Sequence, residues 1–330
     1  MSDHWDGARF FNPEMPRQTV RPPAARLLRL LRLARRRRRA PWPHRLDNLA
    51  HPPPSGDVGA GQAALTFIGH STFLIRLAGL TLLTDPIFSE RCSPVAWAGP
   101  RRVRLPGQAL EALPRPDAIL LSHNHYDHCD LPSLRAIRAR FGAVPIVAPL
   151  GNRDFLGRHG IDAVTELDWW QAMGFGGAEI HLTPARHFAA RSLFDRNTTL
   201  WGGFLIRHGG HSVCFAGDSG YSGWFRAIRE RLGAPDLALL PIGAYLPRWM
   251  MGRVHVDPVE AVQALLDLGA RQAVGMHFGT FRLSDEAIDA PLAGLDRAKT
   301  DFGLDPGRFV TLDFGETRVF PLGAAASVTS

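Results

Sequence analysis

The sequence of 330 residues contains only three cysteines, Cys92, Cys129 and Cys214. They are odd in number and share no spacing typical of a metal site or a redox pair, which argues against a disulfide framework and favours a reducing compartment. No apolar run is long enough for a transmembrane helix, and the N-terminus lacks the apolar core and small-residue cleavage site of a secretory signal. We therefore expect a cytoplasmic protein.

Two further absences limit the class of protein. No glycine-rich phosphate loop follows the first apolar strand, so an open, doubly wound nucleotide-binding sheet fits poorly. The net charge of +7 comes from residues 1–50, where 12 arginines face 4 acidic residues, and the rest of the chain carries −1. Because the remainder has no basic stripe and the arm has little aromatic interleaving beyond Trp42, nucleic-acid binding is the least favoured use of this charge.

The arginines of the arm concentrate in residues 24–39, where they share a helical spacing with leucines. This pattern predicts a basic amphipathic helix. Such a helix can lie on an anionic membrane, with roughly 1 kcal/mol of attraction for each basic residue near the lipid, and the protein would then be peripheral on the inner face of the membrane. It can equally pack its leucines on the domain and expose its arginines. Both interpretations stay open at this point.

The chain divides into an arm and one large domain. A stretch rich in proline and glycine, residues 52–61, predicts an extended linker without fixed structure. We therefore assign residues 1–62 to an N-terminal arm and residues 63–330 to a catalytic domain. The domain opens with three short β-type runs that predict an antiparallel meander, after which strands alternate with helices. Asp130 is the predicted N-cap of one of these helices, and another is predicted from Asp285 to Phe302. This order favours two packed sheets with helices outside them.

Four metal-binding side chains, His123, His125, Asp127 and His128, occupy six positions behind an apolar run that predicts a buried strand. A regular strand or helix cannot direct all four to one ion, but a tight loop can divide them between two ions. His123 and His125 would then bind one ion, and Asp127 and His128 the other, with zinc suited to these donors. A solvated loop with incidental histidines explains the strict spacing poorly.

Two ions need about three more protein ligands, which we expect where other strands end. His187, Asp218 and His277 each follow an apolar run that predicts a strand, and the carboxylate of Asp218 is short enough to bridge two metals. Each of the three is a weak candidate alone, because a lone histidine at a strand end is often an ordinary surface or core residue.

Taken together, the seven residues resemble the ligand set of the metallo-β-lactamase superfamily, and in particular N-acyl-phosphatidylethanolamine-hydrolysing phospholipases D and their bacterial relatives. The resemblance spans nearly the whole chain. It implies an α/β (α+β) fold, a four-layer αβ/βα sandwich with a di-metal site at one edge, behind the basic arm. The motifs that carry it include Phe11-Asn-Pro13, Gly69-His-Ser-Thr72, Thr84-Asp-Pro-Ile-Phe88, Thr183-Pro-Ala-Arg-His187, Leu200-Trp-Gly-Gly203, Phe215-Ala-Gly-Asp218 and His277-Phe-Gly-Thr-Phe281.

The resemblance also implies how the ligands divide between two zinc ions, although iron or manganese stays open as the occupant. One ion would be held by His123, His125 and His187. The other would be held by Asp127, His128 and His277. Asp218 would bridge the two ions.

Further roles follow from the resemblance. Besides Asp127 and Asp218, catalysis is implied to involve Asp85, which would orient a ligand or a water, and His255, which could hydrogen-bond a phosphate oxygen or protonate a leaving group. The implied substrate contacts are Trp97, Tyr126, Tyr245 and Val254. The chain departs from the related phospholipases at Val254, where they carry glutamine, and at Ala96, where they carry a polar residue.

The function that this pattern favours is hydrolysis of a phosphodiester by a di-zinc site. Two zinc ions lower the pKa of a shared water toward ~7 and stabilise charge on phosphoryl oxygens. We expect an N-acyl-phosphatidylethanolamine or a similar phospholipid as substrate, giving phosphatidic acid and an N-acylethanolamine. A lactonase acting on a sugar phosphate is the main alternative, and an inactive scaffold that binds membrane or nucleic acid is another. The oligomeric state, including a homodimer, stays open.

Overall fold

A computed structural model of the protein describes residues 2–15 and 39–323. In these ranges two seven-stranded sheets form the body, accompanied by six α-helices and one short 3₁₀-helix, Leu110–Ala112. The strands are β1 Gln62–Gly69, β2 Thr72–Leu77, β3 Leu80–Thr84, β4 Ala118–Leu120, β5 Ile146–Pro149, β6 Val164–Leu167, β7 Ala172–Phe175, β8 Ala178–Thr183, β9 Gly203–His208, β10 His211–Phe215, β11 Leu237–Pro241, β12 Gln272–Met276, β13 Phe309–Val310 and β14 Thr317–Pro321. The helices are α1 Leu131–Phe141, α2 Asn152–Gly157, α3 Trp224–Leu232, α4 Arg248–Met251, α5 Pro258–Leu268 and α6 Ala290–Asp301.

The two sheets have matching topologies. The first has the order β14-β1-β2-β3-β4-β5-β6, and the second has the order β13-β12-β11-β10-β9-β8-β7. The pairs among β1, β2 and β3 are antiparallel, which confirms the predicted opening meander, and the pairs from β3 to β6 are parallel. In the second sheet β7 to β10 are antiparallel and β10 to β13 are parallel.

Alternating burial on the strands explains the layers. On β2, Phe73 and Ile75 belong to the core between the sheets, whereas Leu74 belongs to a second apolar cluster with Leu134 and Ile137 of α1. Side chains on a strand point to opposite faces in turn, so a strand that is apolar at every position is covered on both sides. Helix α5 packs on α3, α6 and β11 outside the second sheet. The predicted four-layer sandwich is therefore confirmed.

This topology gathers the predicted site residues at one edge. Strands β3 and β4 run in the same direction, so the segments that follow Thr84 and Leu120 leave the first sheet at the same edge. Strands β8, β10 and β12 also run in one direction, because β8 and β10 both pair antiparallel with β9. The residues that follow these strands can therefore lie close together. The helices that connect parallel strands cover the outer faces of the sheets.

A local signal sets the start of α1 but not that of α6. Asp130 caps α1 as predicted, and its side chain accepts a hydrogen bond from Ser133 N. A helix predicted from Asp285 to Phe302 instead begins at Ala290. The reason is tertiary: the buried carboxylate of Glu286 accepts hydrogen bonds from the amides of Tyr245 and Leu246 and from the Ser284 hydroxyl, which holds this segment in a non-helical bend.

The described part of the arm lies on the domain. Residues 2–15, here called the N-terminal strap, place Phe10 in the main apolar core and stack His4 on Trp169. The amphipathic helix predicted for residues 24–39 falls, but for its last residue, outside the described residues, and the boundary at residue 62 stays a prediction. None of the helices in the described ranges is long and apolar enough to cross a bilayer.

We predict that Phe204→Ala destabilises the protein by about 3–5 kcal/mol, since Phe204 is fully buried between the sheets and truncation leaves a cavity. Urea unfolding followed by circular dichroism measures the change. Phe194→Ala is the matched control, because Phe194 is 69% exposed and should cost less than about 0.5 kcal/mol. Equal losses in the two variants would contradict the assignment of the core.

Candidate metal centre

The loop after β4, residues 122–130 and here called the His-rich loop, carries four of the predicted ligands. A turn in which His125 O accepts from the amides of His128 and Cys129 folds it back on itself. His123 Nε2 lies 2.8 Å from His125 Nδ1, which in turn lies 3.3 Å from His187 Nε2. The structure thus brings together His123, His125 and His187, the set predicted for one ion.

A second group forms beside the first. Asp127 Oδ2 lies 3.4 Å from His128 Nε2 and 3.5 Å from His277 Nε2. His277 follows β12 in the other sheet, so this group also joins the two halves of the sandwich. The set predicted for the second ion is therefore assembled as well.

Asp218 lies between the two groups. Its Oδ2 atom is 3.2 Å from His128 Nε2 and 3.3 Å from His277 Nε2. The same oxygen is 3.7 Å from His187 Nε2 and 3.9 Å from His123 Nε2. One carboxylate thus faces imidazoles of both groups, as the predicted bridge requires.

Close backbone packing brings Asp218 and His277 to the centre. Gly217 has φ 60°, and a Cβ atom there would lie 2.7 Å from Gly202 O. At Gly243 a Cβ atom would lie 2.1 Å from His277 O. Only glycine permits these approaches, so both positions keep the segments beside Asp218 and His277 in register.

Several donor atoms of the cluster lack ordinary partners. His128 Nε2, His277 Nε2 and Asp218 Oδ1 are buried and make no hydrogen bond of good geometry within the described residues. Leaving buried polar atoms unpaired costs about 1–3 kcal/mol each. A cation bound by these nitrogens and oxygens would remove that cost, and imidazole with carboxylate is a donor set suited to zinc and similar metals. The residues present therefore fit a metal ion.

The protonation states favour the same interpretation. Burial lowers the pKa of His125 to about 4 and that of His187 to about 3, so each imidazole is neutral at neutral pH and one of its two nitrogens carries no proton. Burial alone would raise the pKa of Asp218, but the charges of His128 and His277 hold it well below its usual value. His125, His187 and Asp218 are thus in the forms that bind metals, whereas Asp218 and Asp127 raise the pKa of His277 to about 9 against the effect of burial, so a metal would have to displace its proton.

Hydrogen bonds outside the cluster fix the orientation of the rings. Asp85 Oδ2 lies 2.7 Å from His128 Nδ1, and Asp85 also accepts from the amide and the hydroxyl of Ser122. The Ser122 hydroxyl lies 2.8 Å from His123 Nδ1. His187 Nδ1 donates to Val254 O at 2.9 Å. With Nδ1 occupied on the outside, all three rings direct Nε2 inward, an arrangement common around metal sites.

His70 is the participant that was not predicted as a site residue. Its Nε2 lies 3.0 Å from Asp127 Oδ2, and its ring centroid lies 4.0 Å from that of His277. His70 has φ 57°, a conformation that costs energy for a residue with a side chain. The available signal was its motif, Gly69-His-Ser-Thr72, between two strands of the meander.

The residues predicted around the ligands have different surroundings. His255 lies at the cluster, with Nδ1 3.9 Å from Asp218 Oδ2. Tyr126 is half-buried, and its hydroxyl donates to Arg191 O. Val254 contributes its carbonyl to His187, as described above, and Tyr245 is half-buried with its amide on Glu286. Trp97 is 82% exposed.

Comparisons with known proteins agree with this architecture. Residues 81–278 match the β-lactamase superfamily domain. An uncharacterised protein of Mycobacterium tuberculosis is 41% identical over 241 residues, which are 72% of this chain and 64% of the relative, so the match spans less than two thirds of that protein. N-acyl-phosphatidylethanolamine-hydrolysing phospholipase D 1 of Caenorhabditis elegans is 38% identical over 265 residues, which are 76% of this chain and 74% of the relative.

A solved structure shows the same fold. Igni18, a metallohydrolase of the archaeon Ignicoccus hospitalis, superposes with a TM-score of 0.60 at 24% identity, covering 79% of this chain and all of that chain. The domain match, the relatives and the two-sheet architecture lead to one assignment. The chain belongs to the metallo-β-lactamase superfamily of hydrolases and is related to the N-acyl-phosphatidylethanolamine-hydrolysing phospholipases D.

Proposed function

We propose that the protein is a phosphodiesterase of phospholipase D type, which hydrolyses N-acyl-phosphatidylethanolamine or a similar phospholipid with two zinc ions. The position of Asp218 is the observation that carries the proposal, because its Oδ2 atom faces imidazoles of both ligand groups at 3.2 to 3.9 Å. Identity of 38% with a nematode enzyme named for this reaction supports the substrate class.

The side chains would divide the work as follows. His123, His125 and His187 would hold one ion, and Asp127, His128 and His277 would hold the other. Asp218 would lie between the two groups of ligands. Bound zinc would supply Lewis-acid charge to the phosphoryl oxygens and lower the pKa of water. The buried position of the cluster excludes bulk water, which strengthens each charge interaction there.

His255 would contact the substrate. Its ring is 7% exposed, it lies 5.2 Å from the rings of both His187 and His277, and its Nδ1 makes no hydrogen bond within the described residues. A neutral imidazole in this position can donate a hydrogen bond to a phosphoryl oxygen. We propose this role for His255 rather than that of a ligand.

Membrane association belongs to the same proposal. A phospholipid substrate is presented at a bilayer surface, and residues 24–39 would hold the enzyme there through arginine and leucine side chains. The enzyme would then work in the cytoplasm as a peripheral membrane protein.

We predict that purified protein contains two equivalents of zinc by inductively coupled plasma mass spectrometry. Asp218→Ala should lose metal from both positions and His123→Ala from at least one, with hydrolysis abolished in each, since both remove a donor from the cluster. His181→Asn is the matched control, because His181 is also buried but pairs with Glu179 away from the site. Full metal content and activity in Asp218→Ala would end the proposal.

Asp85→Asn should weaken metal binding by about 10–100-fold, because the amide no longer provides a charged acceptor for His128 Nδ1. Competition with a chromophoric chelator measures the affinity. Asp117→Asn serves as the control, since Asp117 accepts from the Thr81 amide in the same sheet but away from the cluster. Unchanged affinity in Asp85→Asn would show that this carboxylate does not support the metal.

Incubation with N-acyl-phosphatidylethanolamine should release phosphatidic acid and N-acylethanolamine in equal amounts, detected by liquid chromatography and mass spectrometry. In water enriched with oxygen-18 the label should enter the phosphate of phosphatidic acid, since attack occurs at phosphorus. A phosphorylated sugar lactone should remain closed. Opening of the lactone with the diester left intact would replace this proposal with the lactonase alternative.

A further inference from the structure

One arginine joins the two loops that carry the ligands of the first group. Arg191 belongs to the segment between β8 and β9, residues 184–202, here called the His187 loop. Its Nη1 donates to Asn124 O at 2.7 Å and to Cys129 O at 2.8 Å. These two carbonyls lie near the two ends of the His-rich loop, so a single guanidinium closes that loop at its base.

Tyr126 of the His-rich loop makes a second contact, from its own side chain to Arg191. Its hydroxyl donates to Arg191 O at 3.0 Å, and its ring centroid lies 3.9 Å from the guanidinium carbon of Arg191. A cation over an aromatic face contributes about 0.5–2 kcal/mol, depending on desolvation. The His-rich loop and the His187 loop therefore contact each other through both backbone and side-chain groups. The hydroxyl and the ring of Tyr126 both take part in these contacts.

Arg191 is itself held in place. Its amide donates to the Asp195 carboxylate at 3.0 Å. The N-terminal strap fixes the same loop from outside, since Asn12 Nδ2 donates to Ala185 O, two residues before His187, and Phe10 N donates to Asn197 O. The guanidinium thus projects from an anchored loop, as a positioning group requires.

The geometry points to a role for Arg191 that the ligand pattern does not contain. We infer that Arg191 is a positioning residue, which sets the spacing between the His-rich loop and the His187 loop and thereby the separation of their imidazoles. The chain between Asn124 and Cys129, whose carbonyls Arg191 binds, contains His125, Asp127 and His128. The His-rich loop follows the first sheet and the His187 loop lies in the second, so this arginine joins the two halves of the centre. The inference rests on the metal centre proposed above and is independent of the substrate.

The role can be separated from simple support of the fold. A structural arginine affects unfolding of the metal-free protein, whereas a positioning arginine affects metal affinity and the electronic surroundings of the metal. Cobalt(II) reports the second property, because its visible absorption depends on the number and geometry of its ligands. Arg308→Met is the matched control, since Arg308 likewise donates to two carbonyls, those of Ala270 and Arg271, at the opposite edge of the second sheet.

We expect Arg191→Met to weaken zinc affinity by about 10–100-fold in chelator competition and to change the band shape of the cobalt-substituted protein. Arg308→Met should alter neither measurement. Arg191→Lys, which keeps the charge without the planar fork, should have an intermediate affinity, at least about threefold weaker than that of the natural chain.

Zinc affinity and a cobalt spectrum unchanged in Arg191→Met would overturn the inference. If that variant does not fold, natural affinity in Arg191→Lys would overturn it instead. Measurements on the unmodified chain distinguish failure of this inference from failure of the proposed function. Metal binding there without hydrolysis of any phosphodiester would refute the substrate, while a weakened site in Arg191→Met would still support the positioning role.

Discussion

The buried carboxylate of Asp218 is the constraint on which the rest of the site depends. Its Oδ2 atom lies 3.2 to 3.9 Å from imidazoles that come from both sheets. Removing an ion from water costs several kcal/mol unless charge and hydrogen bonds compensate it. Here the compensation is distributed over loops that only a two-sheet sandwich brings to one edge. The matching order of strands in the two sheets, the glycines at 217 and 243 and the Asp85 carboxylate all serve to hold donors around this anion.

Much of the fold and of the ligand set could be predicted from sequence because the signals are local. Asp130 precedes a helical pattern and caps α1. The apolar runs before His123, Asp218 and His277 form strands at the positions expected. The contacts that were missed join distant parts of the chain. His70 and Asp127 are 57 residues apart, and no periodicity relates them. The late start of the predicted helix, at Ala290 instead of Asp285, has the same origin, because Glu286 bonds to a segment about forty residues away.

Side-chain identity and backbone position explain different parts of the site. Val254 stands where the resemblance to the phospholipases implies glutamine, yet it orients His187 through a carbonyl that any residue would supply. Tyr126 stays a predicted substrate contact, and in the structure its hydroxyl donates to Arg191 O and its ring lies against the Arg191 guanidinium. Metal chemistry and substrate choice are thus separable in this chain. The donors depend on buried contacts, whereas we propose that recognition depends on more exposed groups such as Trp97 and on the arm.

Diffraction from crystals of zinc-loaded protein, recorded at the zinc absorption edge, would show whether Asp218 bridges two metal ions. We expect two anomalous peaks about 3.5–4 Å apart. One peak should lie among His123, His125 and His187 and the other beside His128 and His277, with the Asp218 carboxylate between them. A single peak, or two peaks without Asp218 as a shared ligand, would contradict the bridging role from which the mechanism is derived.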